Sequence, residues 1–133
     1  MTLDETQLTA RFREAFDLKS NQVLTLNKGT TKADETKPWV RFSTSLGARA
    51  REENGAAPMH LQLGGVYLQV FVPKALGANG GDDLIDKFDN LFTDWVSADG
   101  AITIGRMDRS RTEEPNLYQH TIRFSFSSRR PRI

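Results

Sequence analysis

The feature that most limits what this chain can fold into is the two-residue period of its closing segment. Tyr118, His120, Ile122, Phe124 and Phe126 alternate there with Gln119, Thr121, Arg123 and Ser125. Successive side chains on a strand point to opposite faces, so this alternation describes a strand with one dry face and one wet one. Such a strand needs neighbours and a cover for its apolar side, and the rest of the sequence offers both. Gly65 to Val72 puts Val66, Leu68, Val70 and Val72 on one face and Tyr67, Gln69 and Phe71 on the other. Both faces are partly apolar, which predicts a central strand, and Pro73 ends it. Shorter strands are read at Gln22–Leu26, bracketed by Asn21 and a Lys28-Gly29 turn, and after Lys37-Pro38, where Val40 and Phe42 alternate with Arg41 and Ser43. A further strand with Ile102 and Ile104 follows the Asp99-Gly100 turn.

Two stretches have the helical period. Thr2 and Glu5 have the spacing of a capping box, and Leu8, Phe12 and Ala15 or Phe16 recur behind it on one face. Asp82 and Asp83 open a second helix, well placed against its dipole, with Leu84, Phe88, Leu91, Phe92 and Trp95 as its apolar stripe. The expected fold is α+β: a single domain over residues 1–133, with a mixed or antiparallel sheet of about five strands and two main helices packed on one face. Ser45 to Gly64 has no strong period and is expected to be a long irregular loop, of a kind usually functional or disordered. Arg106 to Asn116 is expected to be a charged hairpin loop, and Ser127 to Ile133 a basic tail.

Composition excludes several classes. At 38% hydrophobic and 26% charged residues the chain sits in the globular range. No apolar run approaches the roughly 20 residues that span a bilayer, and the opening MTLDETQLTARF is acidic where a signal peptide is basic and then apolar. No membrane partner is expected. The absence of cysteine excludes disulfide and thiol chemistry and fits a reducing compartment. A net charge of +1 gives no global attraction to nucleic acid.

The residues offer little chemistry. His120 lies on the apolar face of its strand and is read as a core histidine, and His60 has no carboxylate or imidazole at ligand spacing. No metal or cofactor is expected. GANGGDD, from Gly77 to Asp83, has the outline of a phosphate loop, but two carboxylates occupy the helix start and no lysine follows. It is read as a flexible turn with an acidic cap. The pairs Glu52-Glu53, Asp82-Asp83 and Glu113-Glu114 are adjacent in sequence and so point apart. Arg129, Arg130 and Arg132 form a solubilising end capable of passing contact with DNA, without the interleaved aromatics of a single-strand binder.

Taken together, LTARFREAFDL, PWVRFS, GVYLQVFVPKALG, DDLIDKFDNLF and YQHTIRFSFSSR resemble phage tail terminator-like proteins over Leu3 to Ser128. These are the small ring-forming proteins of long-tailed phages and prophages. The resemblance implies a structural virion assembly protein, not an enzyme, that caps the tail tube, stops its polymerisation and supplies the head-joining surface. It implies α+β monomers in a hexameric ring, with the tail tube protein and a head–tail connector or head-closure protein as partners. It also implies a place in the virion tail after assembly in the bacterial host cytoplasm. Another neck or minor tail component is the alternative, and a small nucleic-acid-binding module a more distant one. The resemblance assigns no functional residue.

Rings are built from heterologous contacts, in which two different patches of one subunit meet. Loops of balanced mixed charge suit such contacts, and a long loop that orders only on assembly fits the same picture. Arg49, Arg51, Glu52, Glu53, Arg109 and Arg111 are therefore the candidate subunit or partner interface.

Overall fold

The computed structural model describes residues 2–20, 22–25, 34–52 and 59–131. Helix α1, Leu3–Arg13, starts at the expected capping box: the Glu5 amide donates to Thr2 Oγ1 at 3.2 Å, and the Thr2 amide donates to Glu5 Oε1 at 3.0 Å. It buries Leu8 and Phe12, and Phe16 follows beyond its end. Helix α2, Asp82–Phe92, buries Ile85, Phe88, Leu91 and Phe92. Ile85 thus takes the place expected of Leu84, which is only partly buried, and Trp95 lies just past the helix.

Five strands form one sheet: β1 (Val23–Thr25), β2 (Trp39–Glu52), β3 (Met59–Pro73), β4 (Ile102–Glu113) and β5 (Leu117–Pro131). Their order is β1-β2-β3-β5-β4; β1 runs parallel to β2 and every other pair is antiparallel, so the sheet is mixed. Strand β3 is central, between β2 and β5, as its two partly apolar faces predict. Leu26 and the Lys28-Gly29 turn lie outside the described residues.

Both helices pack on one face. Phe12 stacks on Phe16 at 4.4 Å and on Phe42 at 4.1 Å, and Phe88 and Phe92 meet Phe42 and Phe124 at 5.6–6.5 Å. Beneath them Val66, Leu68, Val70, Val72, Ile122 and Phe124 are buried. Burying each such side chain contributes about 1.5–3 kcal/mol, which makes this layer the main source of stability.

Three expectations are corrected. Ser45 to Gly64 is not an irregular loop: β2 continues to Glu52 and returns as β3 from Met59, leaving a connection at 53–58. Arg106 to Asn116 is not a hairpin loop either, since β4 continues to Glu113 and only the turn to Leu117 is irregular. Most of the supposed basic tail is strand, with β5 paired to β3 as far as Pro131. The first runs beyond the helices and the second forms the outer edge of the sheet beside Tyr118–Phe124; on both, much of the described surface is exposed and no wet–dry alternation marks it. Irregularities hide two of them further. The register slips between Leu46 and Arg49 in β2 and between Ile104 and Met107 in β4, which reverses side-chain parity along each strand.

At the level of both slips, Gly64 passes beneath a ring. A Cβ there would stand 2.3 Å from the Ser45 carbonyl oxygen and 2.6 Å from Phe126. Gly64→Ala is expected to destabilise the protein by about 1–3 kcal/mol, read from the midpoint of urea unfolding, because backbone must move to admit the methyl group.

Candidate assembly surfaces

The candidate residues divide between two edges of the sheet. Arg49 is exposed on β2 opposite Gln62, and Arg51 and Glu52 pair with His60 and Met59. Glu53 lies outside the described residues. Arg109 and Arg111 stand on β4, opposite Ile122 and His120. Arg49 and Arg109 are three strands apart across the sheet and six residues apart along it. That separation is roughly 25 Å at normal strand spacing and rise. The structure therefore does not gather these residues into one site but places them on separate flanks.

On the β4 flank the charges are largely engaged within the chain. Arg109 Nη2 is 3.9 Å from Asp82 Oδ1, and Arg111 lies over the Tyr118 ring at 5.9 Å. Lys74 also faces that ring, at 4.6 Å, and pairs with Glu113, holding the Glu113 carboxyl below its usual range. Among the described residues both flanks leave backbone open. Strand β1 covers β2 only from Val40 to Phe42, and the outer side of β4 is met only by the bridge from Val96 to Thr103.

The sheet face away from the helices is half-exposed and mixed in character. Trp39 stacks on Phe71 at 5.3 Å, Arg41 lies over Phe71 at 6.0 Å, and Arg123 Nε donates to the Tyr67 hydroxyl at 3.0 Å. Each ring is thus already in contact with a neighbour. Among the described residues no helix packs against this face.

Elsewhere the chemistry is structural. His120 is 3% exposed and hydrogen-bonds the Ala78 carbonyl through Nε2 at 3.0 Å, while its Nδ1 has no partner among the described residues. The glycines of GANGGDD are explained by packing: a Cβ on Gly80 or Gly81 would come within 2.9 Å of Val72 or 2.8 Å of Val70. That turn is seated on β3 rather than flexible. No group of three or more His, Asp or Glu side chains able to hold a metal ion occurs among the described residues.

One polar cluster was not visible in the sequence. Arg130, expected in a frayed tail, donates to Asp4 at 2.9 Å, to Asp99 at 2.8 Å and to Gln7 at 2.8 Å. Asp4 is buried and also accepts from the Ser128 hydroxyl at 2.7 Å. The cluster ties the end of β5 to the start of α1 and to the Asp99-Gly100 turn, where Gly100 takes φ 73°. Its only sequence signal was the alternation of Ser128 and Arg130 with Phe126, which continues the inner face of β5. Burial disfavours the charged form of Arg130, but its hydrogen bonds to Asp99 and Asp4 outweigh this and raise its pKa. Hydrogen bonds from Ser97, Gln7 and Arg130 hold the Asp99 carboxyl far below the usual carboxylate range.

Among solved structures 18 chains match this one. One aligns over 96% of both chains, with a TM-score of 0.62 and 15% sequence identity, which is a likeness of fold. No family model and no curated protein matches.

Two outcomes follow from the Arg130 cluster. Arg130→Ala leaves the Asp4 carboxylate buried without its cation, and a loss of about 3 kcal/mol in unfolding free energy is expected. Asp99 has a folded pKa below its ordinary value of 3.8, so its contribution is complete above that value and is lost as pH falls beneath it. Asp99→Asn is therefore expected to lower the melting temperature at neutral pH and to flatten its fall below pH 3.8, as followed by circular dichroism.

Proposed function

We propose that this chain is a tail terminator-like virion assembly protein, which forms a ring on the end of a phage tail tube, stops its growth and presents a surface to the head. The observation that carries the reading is the pair of separated flanks. Arg49 and Arg51 lie toward one lateral edge of the sheet and Arg109 and Arg111 toward the other, with open backbone on both edges among the described residues. A heterologous contact needs two unlike patches on one subunit, and a sheet with two differently furnished edges supplies them. Supporting it, Arg49, Arg109 and Arg111 stand exposed on ordered strands, where a neighbouring subunit or tube can reach them. The element order of the fold is also the one on which the family resemblance rests. Catalysis forms no part of the proposal.

The test is a stop codon at Trp39 in the parent phage or prophage, with lysates viewed by electron microscopy. Overlong tail tubes beside tail-less heads are the expected outcome. Tails of normal length without heads would instead indicate a head-closure component, and normal joined particles would overturn the reading altogether.

A further inference from the structure

The net charge of +1 conceals a separation of charge within the subunit. Helix α2 carries Asp82, Asp83, Asp86 and Asp89, Asp94 follows it, and Lys87 is the only cation within the helix. A helix dipole favours Asp82 and Asp83 at the N-terminus but disfavours acids toward the C-terminus, and the last turn holds no basic residue. The dipole therefore does not explain Asp86, Asp89 or Asp94. Asp82 is matched by Arg109, and Asp89 accepts from the Thr93 hydroxyl at 2.6 Å. Asp83, Asp86 and Asp94 are exposed and have no ion-pair partner among the described residues. Lys87 leans over the Phe16 ring at 5.2 Å. Two exposed apolar side chains flank the helix, Leu76 before it at 48% and Val96 after it at 49%.

A surface of opposite character lies where the β2–β3 arm passes the start of α1. A recess of about 360 Å³ there is lined by Leu3, Leu46, Arg49, His60 and Gln62, with Arg130 and Asp4 among its other walls. Arg130 is neutralised by Asp4 and Asp99, which leaves Arg49 as the recess's unpaired cation among the described residues. Arg51 follows two residues on, at the strand position opposite His60. Leu3 and Leu46 are exposed, at 55% and 39%.

We propose that the acidic face of α2 in one copy docks against this recess in the next, aspartates meeting Arg49 while exposed leucine and valine side chains are covered on both sides. The occupant is a second copy of this chain because the two surfaces complement each other in both charge and apolar content. Neither complements itself: two acidic helices repel, as do two arginine rims, so the contact joins unlike patches of two copies. The inference rests on the ring reading and names the surfaces that would build it.

Sedimentation velocity on the purified full chain, at low and raised salt, provides the test. The wild type is expected to self-associate and to weaken roughly tenfold or more as added salt screens the contact. Asp83→Lys with Asp86→Lys, and separately Arg49→Glu with Arg51→Glu, are each expected to stay monomeric. Circular dichroism should show both variants folded, since Asp83, Asp86 and Arg49 are exposed. Mixing the two variants in equal amounts pairs the lysine-bearing helix of one with the glutamate-bearing recess of the other, and the unaltered helix of the second with the unaltered recess of the first, so assembly should return in the mixture alone. A wild type that is monomeric at low salt, single variants that still assemble, or a folded mixture that does not, would each overturn the proposal. Such failure would leave the tail reading to the Trp39 lysates, which do not depend on which surfaces meet.

Discussion

The antiparallel pairing of β3 with β5 is the constraint on which the rest depends. The two strands match residue for residue from Met59 with Pro131 to Pro73 with Leu117. Strands of 15 residues reach about 50 Å, whereas helices of 11 residues reach only about 16 Å. Two such helices cannot cover the sheet. One end of it is a phenylalanine-rich core under α1 and α2, and the other must be held by other means. The Asp4–Ser128–Arg130–Asp99 cluster does this, using charge-assisted hydrogen bonds at the rim of the apolar layer.

Legibility in the sequence follows the same division. Where the sheet lies against the helices, one face is dry and the other wet, and the period of two in Val66–Val72 and Tyr118–Phe126 marks the strands correctly. The capping box at Thr2 and the acidic start of α2 were legible for a related reason, because local chemistry demands those residues at those positions. Beyond the helices, and along the outer strand, neither face is consistently buried, so Ser45–Glu52, Met59–Gly64 and Met107–Glu113 lack alternation and look like loops. Their strand character is imposed by β3 and β5 running on as a template, a tertiary effect that no local window contains. Glycines misled in the opposite sense: Gly80 and Gly81 looked like freedom but are there because Val70 and Val72 leave no room for a side chain.

The candidate residues show what sequence reading can and cannot give. Arg49, Arg51, Arg109 and Arg111 could be recognised as charges that no core requires. Their distribution over two flanks could not, because it depends on the strand order β2-β3-β5-β4. Nor could the sequence show that Arg130 is already bound by two aspartates while Arg49 has none among the described residues. A count of basic residues treats Arg49 and Arg130 alike, but among the described residues only Arg130 has its charge matched.

The register slips in β2 and β4 have a consequence for the company this protein can keep. Leu46 and Ile104, where the slips begin, lie on the same transverse line through Gly64 and Phe126, so both outer strands buckle at one level. An open, straight and regular edge is a template for indiscriminate strand addition and for growth into fibres. A buckled edge offers only short straight runs, broken where a foreign strand would need to continue its ladder. Among the described residues, both flanks can thus stay uncovered without becoming a seed for amyloid.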